Sequence, residues 1–225
     1  MAFNAQGLLD QVLGAGKQSM GQRRSARGPS GGSGLGGLAR GAIASGALGM
    51  LLGKRRRGFG GGLAARGGTA VLGMLAYRAF KEWRAQQGQG DVEPRTLDRV
   101  SGSEADHQSQ AVLRAVIGAA KADGHVDENE RRLIDEEIAK SEDAPELRQW
   151  LSDELRKPID PTEIASSADT PEVAAEMYLA ARLMIDEQNR KEQAYLNELA
   201  GALRLDTSLR ERLDRQAEEA GQSMH

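Results

Sequence analysis

The residues best suited to chemistry are carboxylates gathered in one short stretch, Ala122-Asp123-Gly124-His125-Val126-Asp127-Glu128-Asn129-Glu130. A tight turn at Gly124 lets Asp123, Asp127 and Glu130 converge, and oxygen clusters of that kind suit hard cations such as Ca²⁺, Mg²⁺ or Mn²⁺. The spacing is not that of an EF-hand, whose loop has Gly at the sixth position and a bidentate Glu at the twelfth. Here Gly comes second. A similar acidic turn follows at Ile185-Asp186-Glu187-Gln188-Asn189-Arg190-Lys191-Glu192. Each turn succeeds an Ala-rich apolar helix and precedes a helix with two adjacent apolar residues, Leu133-Ile134 and Tyr195-Leu196. The Asp-to-Glu interval is seven residues in the first turn and six in the second, an approximate internal duplication. If the turns face one another, Asp123, Asp127, Glu130, Asp186 and Glu192 form one set of candidate metal ligands. The same types also suit a structural role. Asp127 is a good N-cap with Glu130 at N3, and acids at helix starts offset the macrodipole.

The elements that must position these turns are helices. Val112, Val116 and Ala119 beside Leu113, Ile117 and Ala120 predict a helix over about 104–122. Leu133, Ile134 and Ile138 predict one over about 128–140, and Leu147, Trp150, Leu151 and Leu155 another opened by Pro145. Asp160-Pro161-Thr162-Glu163 carries Asp at N-cap, Pro at N1 and Glu at N3, and Thr170-Pro171 repeats that logic for the next helix. Tyr195, Leu196, Leu199 and Leu203 mark a helix over about 190–204, and a last one starts near Thr207. No β-branched alternation interrupts the series, so the expected fold is all-α, a compact bundle of six or seven short helices.

The formal charge of −3 conceals a split. Residues 1–90 carry 13 Lys/Arg against Asp10 and Glu82, a net +11, whereas residues 91–225 carry 17 Lys/Arg against 31 acids, a net −14. Of the 28 glycines, 23 precede residue 91, so the first part has too few large apolar side chains to build a core of its own. Phe3, Leu8, Leu9, Val12 and Leu13 have helical spacing that Gly14 and Gly16 stop. Residues 21–37 form a basic Gly/Ser-rich tether.

Two uncharged runs follow, Gly41–Gly53 and Gly67–Tyr77, the first ending at Lys54-Arg55-Arg56-Arg57. Both are shorter than the roughly 20 residues that span a bilayer. Small residues recur every fourth position at Gly37, Gly41, Ser45, Gly49 and Gly53, and again at Gly61, Ala65, Thr69 and Gly73. Such a stripe allows close helix approach in lipid. Residues 38–86 are therefore expected to associate with membrane lipid, with Lys54–Arg57 on the cytoplasmic side. A flexible Gly-rich segment in water is the competing reading. Nucleic acid is disfavoured as a partner, because the aromatics near the basic residues are not interleaved as a stacking platform.

The sequence has no cysteine, which excludes disulfides, thiolate metal sites and thiol catalysis, and its three histidines are scattered at 107, 125 and 225. No nucleophile–base arrangement or phosphate loop is present, so a non-catalytic protein is expected.

Ala122-Asp123-Gly124, Val126 and Glu130 together resemble the signature turn of the tellurite-resistance TerB-like domains. Pro158-Ile159-Asp160-Pro161, Met177-Tyr178-Leu179-Ala180-Ala181, Ile185-Asp186, Glu192, Tyr195-Leu196 and Leu199-Ala200 are similar to the YebE-like inner-membrane proteins, a family of unknown function. The second turn departs from the TerB-like pattern, with Glu187 where that repeat places Gly. The polar stretch after Trp83, with Gly88, Gly90 and Pro94, reads as a linker over 87–103, and the resemblance implies a TerB-like helical domain over 104–220. Before them would lie membrane-associated helices over 38–86, and a short amphipathic helix with its tether over 1–37. It further implies attachment to the bacterial cytoplasmic membrane, single-pass or peripheral, and envelope or metal stress. A divalent cation is the implied cofactor, and the acidic turns carry its candidate ligands. The alternative is a scaffold for protein partners or self-association whose acidic turns are only helix caps.

Overall fold

The computed structural model describes residues 4–14, 68–88, 93–122, 132, 135–136, 145–185 and 188–222. Among them are eight helices and no strand: α1 (Ala5–Gly14), α2 (Gly68–Gln86), α3 (Gly102–Lys121), α4 (Pro145–Arg156), α5 (Pro161–Ala165), α6 (Pro171–Met184), α7 (Arg190–Ala202) and α8 (Thr207–Gln222). Of the helix expected over 128–140, Arg132, Asp135 and Glu136 are described, and all three are helical. The all-α bundle read from the periodicity is the fold found.

The caps explain where helices begin. Asp160 Oδ1 accepts the N–H groups of Thr162 at 2.8 Å and Glu163 at 3.2 Å, with Pro161 at the first helical position, where its missing N–H costs nothing. Thr170 Oγ1 accepts from Val173 N at 3.2 Å ahead of α6. Asp206 does the same for α8 through the N–H groups of Ser208 at 2.9 Å and Leu209 at 3.4 Å, and it also takes the Trp83 indole N–H at 3.1 Å, tying α2 to α8.

At the centre stands α6. It packs on α2, α3, α7 and α8, and Val173 through Ala181 are all buried. A helix enclosed on every side has no polar face to spare, and its Ala-rich sequence (Ala174, Ala175, Ala180, Ala181) lets the neighbouring axes come close. Tyr178 is the large residue in that row. Its hydroxyl donates to Asp214 Oδ1 at 2.8 Å and accepts from Arg210 Nε at 3.0 Å, which satisfies the one polar atom of a buried ring.

Two parts of the N-terminal stretch belong to this bundle. The spacing of Ala5, Leu8, Leu9, Val12 and Leu13 makes one stripe on α1, and all five are buried against α2 and α3. Full burial of a Leu or Val side chain contributes roughly 1.5–3 kcal/mol, so this short helix is held by its stripe and not by its propensity. On α2, Leu72, Leu75, Ala76, Ala79 and Phe80 are buried, and the helix packs on α1, α6 and α8.

The expectation that residues 38–86 face lipid therefore changes for 68–86, whose apolar side is covered by protein; residues 38–67 lie outside the described residues. Thr69 and Gly73, the end of the second small-residue stripe, are buried in protein contacts. A Cβ on Gly73 would sit 2.7 Å from the Asp98 backbone nitrogen, so only glycine admits that approach. Among the described residues no helix is long and apolar enough to cross a membrane.

The expected linker also differs. Within 93–100, Pro94, Thr96 and Leu97 are buried, and the segment straps α2 to α3 and α6. Leu97 N donates to Glu176 Oε1 of α6 at 2.6 Å, Gln108 Nε2 of α3 donates to the Arg95 carbonyl at 3.2 Å, and Tyr77 of α2 donates to Glu93 at 2.9 Å. Polarity suggested a loose connection, but buried backbone groups with partners make it a fixed one.

Candidate functional site

Of the five candidate ligands, Asp123, Asp127, Glu130 and Asp186 lie outside the described residues. Glu192 lies within them and is buried. The N-cap of α7 is Asn189, whose Oδ1 accepts from Lys191 N at 3.0 Å and Glu192 N at 3.5 Å, while its amide donates to Glu192 Oε1 at 2.9 Å. Cap and N3 residue thus engage each other, as in a capping box. Among the described residues no group of three or more His, Asp or Glu is placed to hold a metal ion. Tyr195, three residues further on, reaches across to α3 and donates to the Ala115 carbonyl at 2.9 Å.

A charged cleft opens where α3, α4 and α5 meet. Its cavity is about 90 Å³, with Ile117, Ile159 and Ile164 among the apolar residues lining it. Buried Glu154 organises the charges: Arg114 Nε and Lys157 Nζ each donate to its Oε1 at 3.1 Å. Lys157 also donates to Glu163 Oε1 at 3.0 Å, and Arg114 to Ser167 Oγ at 2.7 Å. The hydrogen bonds to Glu163 and then Glu154 raise the Lys157 pKa and keep its ammonium charged. Lys121, at the end of α3, donates to the Glu154 carbonyl at 3.2 Å and to the Lys157 carbonyl, and so caps the C-terminus of α4. These cations are committed to holding three helices together. The cleft is built as a polar joint, immediately beside the chain that leads into Asp123.

A second constellation lies where α1 ends and α2 begins. The first N–H groups of a helix lack partners within it. Thr69 N, in the first turn of α2, donates at 3.3 Å to Oδ1 of Asp10, a residue of α1, and the Thr69 hydroxyl donates to the same oxygen. Asp10 thereby caps a helix 59 positions away. Gly68 takes φ +45°, and a Cβ there would lie 3.4 Å from that of Leu13. The α1 N-terminus is pinned as well: Asn4 Oδ1 accepts from Gly7 N at 2.6 Å, and Asp106 of α3 accepts from Gln6 N at 3.3 Å.

The clamp has a topological consequence. It brings the described residues on either side of 15–67 together at one point on the bundle, and the stretch between them holds 10 Lys/Arg, 17 of the 28 glycines and not one acid. Spacing rules could not pair Asp10 with Thr69, because Asp10 belongs to no motif and Thr69 only to a stripe of small residues. The available sign was that Asp10 is one of only two acids in the first 90 residues.

Fold and site together define a helical bundle in which an aspartate clamp joins the described ends of a basic, glycine-rich stretch of sequence. The profile of a family described as "protein of unknown function (DUF533)" matches residues 36–217, and the chain belongs to that family. It is 26% identical over 119 residues to the "uncharacterized protein in ampR 5′ region" of Yersinia enterocolitica, an alignment that covers 53% of this chain and 86% of that protein. No solved structure matches the chain at a significant level.

Proposed function

We propose that this protein is a non-catalytic helical binding module tethered by residues 15–67 to the anionic lipid of the bacterial cytoplasmic membrane. The observation that carries the reading is the Asp10–Thr69 clamp, which gathers both ends of the acid-free stretch at one place on the bundle. Each Lys or Arg near an anionic surface contributes about 1 kcal/mol, and ten of them lie in this segment. The rest of the chain carries a net −13, so the surface that attracts the excursion repels the bundle. Lipid contact is thereby confined to 15–67, and the TerB-like bundle is held off the membrane and presented to protein partners. The Gly37-to-Gly53 stripe lets this segment fold compactly once in contact with lipid.

Because the ends of 15–67 meet, the segment can be replaced by a short Gly/Ser linker without pulling α1 from α2. Co-sedimentation with phosphatidylglycerol vesicles should retain the full chain and lose the linker variant, with the helical circular dichroism of the bundle preserved. Phosphatidylcholine vesicles should retain neither. Equal sedimentation of the two chains with anionic vesicles defeats the proposal, as does failure of the full chain to sediment.

A further inference from the structure

α1 is a ten-residue helix packed on α2 and α3. Fifty-three residues, 15–67, connect it to α2. That length of polypeptide can reach on the order of 180 Å when extended, several times the roughly 40 Å breadth of a bundle of this size. By length alone, α1 can reach the bundle of a neighbouring copy as well as its own.

What does specify its place is the docking surface itself. The stripe Ala5, Leu8, Leu9, Val12 and Leu13 is covered by α2 and α3, the geometry of an amphipathic helix seated in a groove. Polar bonds fix both ends: the Gln6 N–H to Asp106 of α3, and Asp10 to Thr69 of α2. A stripe with a hydrogen bond at each end sets position, direction and rotation of the helix without reference to the connecting chain. We infer that the groove between α2 and α3 is a helix-docking site that takes α1 from a second copy of this chain as well as its own, so that copies are linked by exchange of α1.

Competition between the two modes follows from effective concentration. A long connection supplies its own helix at an effective concentration of about 1 mM or below, so docking between copies grows with protein concentration beneath that value. The absence of cysteine makes the exchange readable. Full-length Asp10→Cys and Thr69→Cys chains are mixed and oxidised. A disulfide joining one of each, in excess of the dimer that either variant forms alone, reports α1 of the first lying on α2 of the second. The double variant, which closes within one chain, shows that the geometry admits the bond.

The expected result is a heterodisulfide of twice the 24.1 kDa chain mass. Its yield should rise about tenfold between roughly 10 and 100 µM protein and exceed the dimer formed by either variant alone. An excess of synthetic peptide 1–14 should suppress it, whereas the same peptide carrying Leu9→Asp should not. A mixture that gives no more dimer than the single variants overturns the inference. So does a heterodisulfide that persists at saturating wild-type peptide.

Discussion

Glu154 of α4 and Glu176 of α6 are both buried, and the bundle accommodates them in opposite ways. Glu154 sits between Arg114 and Lys157, each 3.1 Å from the same carboxylate oxygen. Glu176 has the Leu97 N–H on one oxygen at 2.6 Å, and its other oxygen has no hydrogen-bond partner. Burial raises the pKa of Glu176, the Leu97 N–H opposes the rise in part, and Asp98 and Glu172 add like-charge repulsion, leaving it at about 8. Glu154 is paired with two cations; Glu176 keeps its proton near neutral pH. Burial alone does not decide how an acid is tolerated. The joint at α3–α4–α5 is cemented by charge, whereas the strap has an anchor that responds to pH.

The largest effect is expected at the charged joint. Arg114→Ala leaves Glu154 buried with Lys157 as its remaining cation, and should cost about 2–3 kcal/mol in denaturant unfolding. A loss below about 0.5 kcal/mol would mean that the pair behaves as a surface ion pair.

Next comes Glu176→Gln, which keeps a carbonyl oxygen for Leu97 N–H and removes the titration. The folded carboxyl titrates at about 8 against an ordinary 4.5, so the unfolded chain releases this proton first as pH rises. Stability held in wild type below pH 4.5 is therefore lost progressively up to about pH 8. The Gln variant should match wild type near pH 4 and exceed it at pH 9 by on the order of 1–3 kcal/mol. Thermal melts across that range test it; parallel profiles of the two chains would contradict it. The smallest effect is Asp98→Asn, which removes one repelling charge and should shift the wild-type profile toward higher pH. The gain at pH 8 should be about 0.5 kcal/mol or less.

Much of the bundle was legible in the sequence, for local reasons. Asp160-Pro161 and Thr170-Pro171 announce helix starts because a cap bonds N–H groups two or three residues ahead. Apolar periodicity located α3, α4, α6, α7 and α8 for the same reason, since one turn of helix is enough to show a face. The candidate site was less legible. Asn189 caps α7 immediately before the start that the apolar spacing placed at about 190, but no motif singled it out as the cap. The small residues Thr69 and Gly73 fitted a lipid-facing stripe and a protein-facing one equally well. Close approach favours small side chains whatever approaches, and here the neighbours are Asp10 and Asp98.

The amino-acid sequence by itself determined the helical class, the caps and the segregation of charge into a basic excursion and an acidic remainder. Tertiary structure alone decided that α1 and α2 join the acidic bundle, that Asp10 caps α2 and that Glu176 anchors the strap. Those pairings join residues 59 and 79 positions apart, and Gln6 and Asp106 are 100 apart. Side-chain spacing encodes what one helix will bury. Which partner covers it is settled only when the packed core fixes all the helix axes at once.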